Sequence, residues 1–430
     1  MKRLVRRVLV AMAVVSPFPV AIPTAFAAQE VAPPEAQAWI DIATFSGMGG
    51  MGGMGAMGGN PMSALGAMFG GKSGSPGTTT STGNTFGNTR TMGTGRWVDV
   101  TVRTRANPGL EEAQQAVPTG FISPALELKT PKNAPPPPLR DDEELREETE
   151  KPKGRLLLYW GCGPTIRQGQ PRVLDAATAS IDDYAKFFVA RRATQRGAHS
   201  AVGRPVWPNP VDSRMVPPQA SLVGEHAFTG KGIPDGFRFK IPLAQDLMPP
   251  LVLEQTDRSG ATDLGWNAIA TARAYFVAAM GSNAKEDMVM WTSSELADTG
   301  FGLIDYQTNA AVDRWLKEKV LLTPQTTKCT VPKGVFGENG AMLRLIAYGD
   351  ELNLAHPPRP KDPKAKWEPV WAVKLRVKAV TNGFLGMAET GMPSERGEVR
   401  RDENKPQAEG TPGMPSIPQP MELLKGLFGR

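Results

Sequence analysis

Two segments lying either side of a long glycine-rich stretch, Trp39-Ile-Asp-Ile-Ala-Thr-Phe45 and Trp97-Val-Asp-Val-Thr-Val-Arg103, alternate large apolar residues with smaller or polar ones. A period of two puts every second side chain on one side of an extended chain, so each segment reads as a half-buried β-strand. If the two pair, the residues between them form a long loop held at both ends. The other reading is two unrelated strands. The same period recurs downstream. Arg155 opens the short apolar run LLLYW, Gln170 to Ala176 forms another candidate strand, and SLVGEHAFTG and FRFKIPL flank Lys231-Gly-Ile-Pro-Asp-Gly236, a turn composition suited to a hairpin. The fold class that follows is mainly β: two β-sandwich-like domains with one or two short helices and long disordered insertions.

The insertions follow from composition. Among 430 residues there are 46 Gly and 40 Pro, concentrated where strand periodicity is absent. Residues 46–95 are rich in Gly and Met, residues 131–153 combine Pro135 to Pro138 with a run of clustered charge, and residues 386–430 are polar and rich in Pro and Gly. Within the first tract, Gly66 to Ser73 reads GAMFGGKS and satisfies the phosphate-loop pattern G-x-x-x-x-G-K-[ST]. Such a loop works only between a buried strand and a helix whose free N–H groups face the phosphates. Here glycine repeats precede it and Pro76 with further glycines follows, so no nucleotide site is assigned. Met48, Met51, Met54 and Met57 recur every third residue, and thioethers are ligands for Cu(I). Five intervening glycines leave that cluster unorganised, so a flexible loop is the favoured reading and Cu(I) binding the alternative.

At the amino end Lys2, Arg3, Arg6 and Arg7 precede the apolar run Val8 to Val15 and the triplet Ala25-Phe26-Ala27. That order is the pattern of a secretory signal peptide over residues 1–27, cleaved after Ala27. The apolar run is interrupted by Pro17, Pro19 and Pro23 and is too short to span a bilayer. The formal charge of +6 contains four positive residues from this leader, which carries no acid, so the remainder is near +2. A nucleic-acid binder with a persistent basic face is not expected. Two cysteines, Cys162 and Cys329, can form a single disulfide, the favoured state in an exported chain; two separately buried thiols are the alternative.

Ser180-Ile-Asp-Asp183 sets an N-cap serine three residues before an acid and opens a short amphipathic helix with Ile181, Tyr184, Phe187 and Phe188 on one side. Arg191, Arg192 and Arg196 beyond it complement the helix dipole or line a groove for a charged ligand. From Pro249 onward, Leu264-Gly-Trp266 followed by Ala272-Arg-Ala-Tyr275-Phe-Val277 resembles the fibronectin type III pattern L-x-W…A-x-x-Y-x-V. The resemblance implies that Trp266 of strand B packs over Tyr275 of strand C. It also makes Met288 to Ser293 strand C′, Met342 to Gly349 strand F and Trp371 to Val380 strand G of a seven-stranded sandwich. The chain departs from that family between Glu295 and Lys328, where DRWLKEKVLL has helical character. Alternation alone predicts a shared core face for Leu264, Trp266, Tyr275, Val277, Leu343, Leu345, Val373, Leu375 and Val377. It places Lys374, Arg376 and Lys378 on the opposite face, as an exposed basic stripe suited to solubility or to anionic glycans and lipid headgroups.

The resulting division is residues 1–27 leader, 28–45 first strand region, 46–95 Gly/Met loop, 96–130 further strands, 131–153 linker, 154–247 N-terminal β domain, 248–385 fibronectin type III-like domain and 386–430 tail. His199, His226 and His356 stand in no catalytic or metal-binding motif, and His226 reads as a sheet residue. No catalytic residue and no cofactor is assigned. Leu423, Leu424, Leu427 and Phe428 give the last residues an apolar side that suits a docking peptide or a frayed end. The expectation is an exported, non-enzymatic protein of a bacterial envelope, resembling the uncharacterised exported proteins of Gram-negative bacteria. It would act by binding or assembly on an envelope protein or surface glycan, with no nucleic acid, no nucleotide and no transmembrane segment in the mature chain. A glycan-acting envelope enzyme without identifiable catalytic residues is the further alternative.

Overall fold

The computed structural model describes residues 32–47, 84–90, 93–122, 124–132, 154–189, 191, 197–285, 287–362 and 365–386. The segment expected to be a signal peptide, the phosphate-loop string, the methionine repeat at Met48 to Met57, the bulk of the acidic linker, Arg192, Arg196 and the terminal Leu423 to Phe428 peptide lie outside the described residues.

The fold is mainly β, as the period of two predicts. In chain order the strands are β1 (Ala36–Gly47), β2 (Gly95–Thr104), β3 (Glu112–Ala116), β4 (Ala125–Lys129), β5 (Arg155–Trp160), β6 (Arg172–Asp175), β7 (Val206–Trp207), β8 (Gly224–Thr229) and β9 (Arg238–Ile241). They continue as β10 (Leu253–Arg258), β11 (Ala261–Trp266), β12 (Ala274–Ser282), β13 (Met288–Thr292), β14 (Lys328–Val331), β15 (Ala341–Tyr348), β16 (Leu352–His356) and β17 (Trp371–Leu385). Two helices, α1 (Ile181–Phe187) and α2 (Asn309–Lys317), complete the described elements together with a 3-10 turn at Leu243–Gln245. Ser180 caps α1 through a capping box with Asp183, the arrangement its sequence spacing predicts. Among the described residues no helix is long and apolar enough to cross a membrane.

The two tryptophan-led segments do pair. β1 and β2 run antiparallel from Ala36↔Thr104 to Phe45↔Gly95, so the ends of the Gly/Met tract are held close together. On its other side β1 runs parallel to β17, from Ala36↔Trp371 to Gly47↔Asn382. These contacts lie at the centre of a 14-stranded sheet of order β6-β5-β13-β12-β15-β17-β1-β2-β7-β4-β3-β8-β9, with β16 also on β17. A second sheet has the order β10-β11-β14. β5 joins β13 in parallel, Leu156 facing Met288, so strands from residues 154–247 and from residues 248–385 share the large sheet.

One face of the large sheet holds the main core. All nine residues predicted for it, from Leu264 to Val377, are buried there. Trp266 of the small sheet meets Tyr275 of the large one edge to face, ring centroids 5.6 Å apart. The large sheet also curls over itself, because Phe237 stacks on Trp371 at 5.0 Å. Cys162, just past β5, is bonded to Cys329 on β14 and ties the two sheets together across this core.

The second face is covered rather than exposed. The segment after β13, where the chain departs from the fibronectin type III pattern, crosses it and carries α2. Ala311, Val312 and Trp315 of that helix bury against Phe45, Phe276, Ile346 and Val380. Phe187 of α1 and its C-cap residue Phe188 join a neighbouring cluster with Leu156, Leu158 and Met290. The stripe predicted to be exposed is therefore corrected. Arg376 and Lys378 are each only 2 % exposed, because the insertion that the family pattern lacks lies over them.

Candidate functional site

β17 buries its basic residues because its neighbours supply acids in register. Asp41 of β1 stands opposite Arg376, and Asp99 of β2 stands opposite Asp41. Directly opposed residues share a sheet face, so an Asp–Asp–Arg row runs across the middle of three adjacent strands. The Arg376 guanidinium forks onto the Asp41 carboxylate, Nε to Oδ1 at 2.7 Å and Nη2 to Oδ2 at 2.5 Å. Asp41 Oδ2 also accepts the Ala198 N–H at 3.0 Å. Arg376 and Lys378 both lie under the Tyr306 ring, 4.3 and 4.2 Å from its centroid, and Lys378 Nζ reaches Asp305 Oδ1 at 3.3 Å. Lys374, at the strand's outer end, pairs with Glu351 at 3.0 Å.

Three segments remote in sequence are fastened to the sheet by these charges. Residues 84–90 attach through Asp99, which accepts the Gly87 N–H at 2.9 Å and the Thr89 hydroxyl. Residues 197–199 attach through Asp41. At Gly197 an added Cβ would lie 1.7 Å from Arg376 Nη2, so only glycine lets the backbone pass this close to the pair. Residues 305–306 attach through Asp305 and Tyr306. Arg191, beyond α1, adds a fourth tie by pairing with Asp298 and Glu318, both at 2.6 Å. The arginines after that helix are thus represented, where described, by a residue already bound to acids of the insertion.

Burial sets the protonation pattern. Desolvation pushes Asp99 up to about 6, helped by the neighbouring Asp41 and opposed by its hydrogen bonds from Thr89 and Gly87. Burial alone would raise Asp305 too, but Lys378 and Arg376 hold it down to about 2. Desolvation draws Lys378 down to about 8 against the pull of Asp305. Tyr306 and Tyr348 are raised by burial. Arg344, on the same face, is brought down to about 10 by desolvation, and among the described residues its Nε and Nη1 have no hydrogen-bond partner.

An acid whose folded value lies above its unfolded one favours folding while protonated. Below about pH 4 Asp99 is neutral in both states; as pH rises through 6 the folded protein must ionise it in a desolvated place. Asp99→Asn is therefore expected to stabilise the protein by about 2 to 3 kcal/mol at pH 7.5 and by little below pH 4. Urea unfolding at the two pH values measures this. A loss of stability at pH 7.5, or an equal gain at both, overturns the assignment.

Cys162 and Cys329, the pair named from sequence, are brought together in the disulfide. The histidines are not brought together. His226 is buried in β8 between the Gln115 side chain and the Leu222 carbonyl, as a sheet residue would be. His199 meets Trp39 and His356 stacks on Trp371. Sequence reasoning missed Asp41, Asp99, Asp305 and Tyr306. The signal available was an acid at the same place in both Trp-x-Asp segments, two residues after a tryptophan and between two large aliphatic residues. Chemically the row is a clamp: its ion pairs and hydrogen bonds join segments to the sheet, and its charged atoms lie beneath those segments. No family model matches the chain, and no curated protein matches it.

Proposed function

We propose that this is an exported protein of the bacterial envelope that acts by binding or assembly, with a fibronectin type III-like sandwich in its C-terminal part. The observation that carries the reading is the strand β1 lying along β17. Residues 36–47 add to the strand in the position of G over twelve register pairs, so the sandwich accepts an added strand at that edge. The division into β10-β11-β14 and β13-β12-β15-β17 supports the family resemblance, as does the contact of Trp266 with Tyr275. The disulfide supports an oxidising compartment. A role through contact rather than turnover fits a clamp whose polar groups serve the fold.

Fractionation of a Gram-negative host expressing the tagged chain tests the export half. The expected result is a periplasmic or extracellular protein whose mass begins at Ala28. An intact leader on a cytoplasmic protein overturns it. Incubating the purified protein with envelope glycans tests the other half, since release of sugar fragments would replace binding with catalysis.

A further inference from the structure

Arg344 of β15 lies on the second face but outside the clamp. It is 3 % exposed, and among the described residues no carboxylate pairs with it and no acceptor meets its Nε or Nη1. A guanidinium stays protonated in proteins, and an unpaired buried charge is among the costliest groups a fold can carry. Asp305 acts on Arg344 electrostatically, but that carboxylate is engaged by Lys378 at 3.3 Å and lies in the field of Arg376. The other acids of the clamp do not serve it. Asp41 is held by Arg376, and Asp99 stands on β2, three strands from β15, about 14 Å at the ordinary strand spacing.

A cavity beneath the insertion lies beside this charge. Ala278 of β12, directly opposite Arg344, forms part of its wall, and Gly302 and Ile304 form part of its roof. Between those two roof residues, the Leu303 carbonyl accepts the hydroxyl of Tyr348, four residues along β15 from Arg344 and on the same side. The free volume is about 20 Å³, above the roughly 10–15 Å³ that one water needs. None of the lining residues is charged. Thr299 is one of them; it is 4 % exposed, and among the described residues its hydroxyl has no partner. The adjacent Asp298 is engaged by Arg191 at 2.6 Å and by the Gly300 N–H at 2.8 Å.

A water in that space would meet the Thr299 hydroxyl and leave the charge of Arg344 unmatched; a cation would add to that charge. An anion answers both, since it offsets the guanidinium across a dry region and accepts the hydroxyl proton. Apolar walls disfavour a divalent or strongly hydrated ion, and the volume restricts the occupant to about the size of a halide.

We propose that this cavity binds one chloride-sized monovalent anion as the counter-ion of Arg344, with the Thr299 hydroxyl as donor. The site is independent of the envelope reading. Urea unfolding of the full chain is compared in about 0.2 M sodium chloride and in sodium gluconate of the same ionic strength, whose anion is too large for the cavity. The expected result is an unfolding equilibrium constant at least about tenfold lower in chloride, the mass action of that concentration on a dissociation constant of about 20 mM. Arg344→Met replaces the charge with an apolar chain. It is expected to lose the chloride dependence and to be at least as stable as the wild type in gluconate, because no buried charge is left unpaired. An equal response to chloride in this variant, or none in the wild type, overturns the proposal. Crystals of the wild type grown in bromide locate the ion whether or not the variant folds. One bromide anomalous peak is expected in the cavity beside Thr299. Absence of that peak, with a water or nothing in its place, overturns the proposal.

Discussion

Asp41→Asn is expected to lower folding stability by about 3 to 5 kcal/mol, the cost of stripping one partner from a buried ion pair. Asp41 is 1 % exposed and is the acid that Arg376 grips with two nitrogens. Without it, a guanidinium 2 % exposed faces a neutral amide, with Lys378 two residues away on the same face. Arg376→Met alone is expected to cost a similar amount, because it leaves the buried Asp41 carboxylate opposite Asp99 with only the Ala198 N–H named above to meet its charge. The double variant should recover part of the first loss, since apolar groups of similar volume replace a buried pair at little cost. Urea unfolding of the four proteins closes the cycle. Independent losses, or a loss below 1 kcal/mol for Asp41→Asn, would show that the pair does not hold the fold together. Hydrogen exchange adds where the loss falls: the amides of residues 197–199, held by the Ala198 N–H on Asp41, should open before those of β12 and β15.

The acid limb of stability reads on the same cluster. Asp305, held near 2, contributes stability that is fully present above about pH 4 and is lost as pH falls through 2. Asp99 works in the opposite sense between about pH 4 and 6, so the two partly cancel on acidification. Lys378, drawn down to about 8, adds a contribution that grows as pH rises from 8 to about 10.5. Near pH 7 the fold therefore carries both an ionised Asp99 and an ionised Lys378 in desolvated places.

Local periodicity was enough to read β1, β2, β5, the β8–β9 hairpin, β12, β17 and the Ser180 cap, and within each strand which residues face the core, because each depends on residues close together in sequence; the short strands β7, β14 and β16 were not read. The fate of the second face was not readable in that way. Alternation states that Lys374, Arg376 and Lys378 share a side of β17; it does not state what lies over that side. Arg376 finds its acid 335 residues earlier, on a strand separated from it by nearly the whole chain. The departure between Glu295 and Lys328 was visible as a length that the family pattern does not accommodate. Its consequence was not, because a cover is recognised only once Trp315 and Tyr306 are seen resting on the sheet. Asp41 and Asp99 offered the one local hint, two acids at matching places in the two Trp-x-Asp segments. Pairing of those strands brings the two acids face to face, and one of them must then find a cation.

Removing the disulfide with Cys162→Ala and Cys329→Ala is expected to cost about 5 kcal/mol, the loop-closure entropy of a bridge spanning 167 positions. The effect differs in kind from the loss of Asp41. The bridge restrains the unfolded chain, so the native near-ultraviolet circular dichroism should be unchanged. The urea dependence should become steeper, because an unfolded chain without the cross-link exposes more surface. Asp41→Asn should leave that slope alone, since it acts on the native state. The bridge also joins the loop after β5 to β14, and so joins the edge of the large sheet to the small one across the main core. A chain made where thiols stay reduced must hold that junction by packing around Cys329, Trp266 and Val331 and by the Gly163 N–H to Thr330 carbonyl and Lys333 N–H to Pro164 carbonyl hydrogen bonds. The same protein purified from a reducing and from an oxidising compartment should therefore differ by about the loss seen in the alanine variant. Equal stability in the two preparations, with the thiols confirmed free in one, would mean that the bridge contributes nothing to the fold.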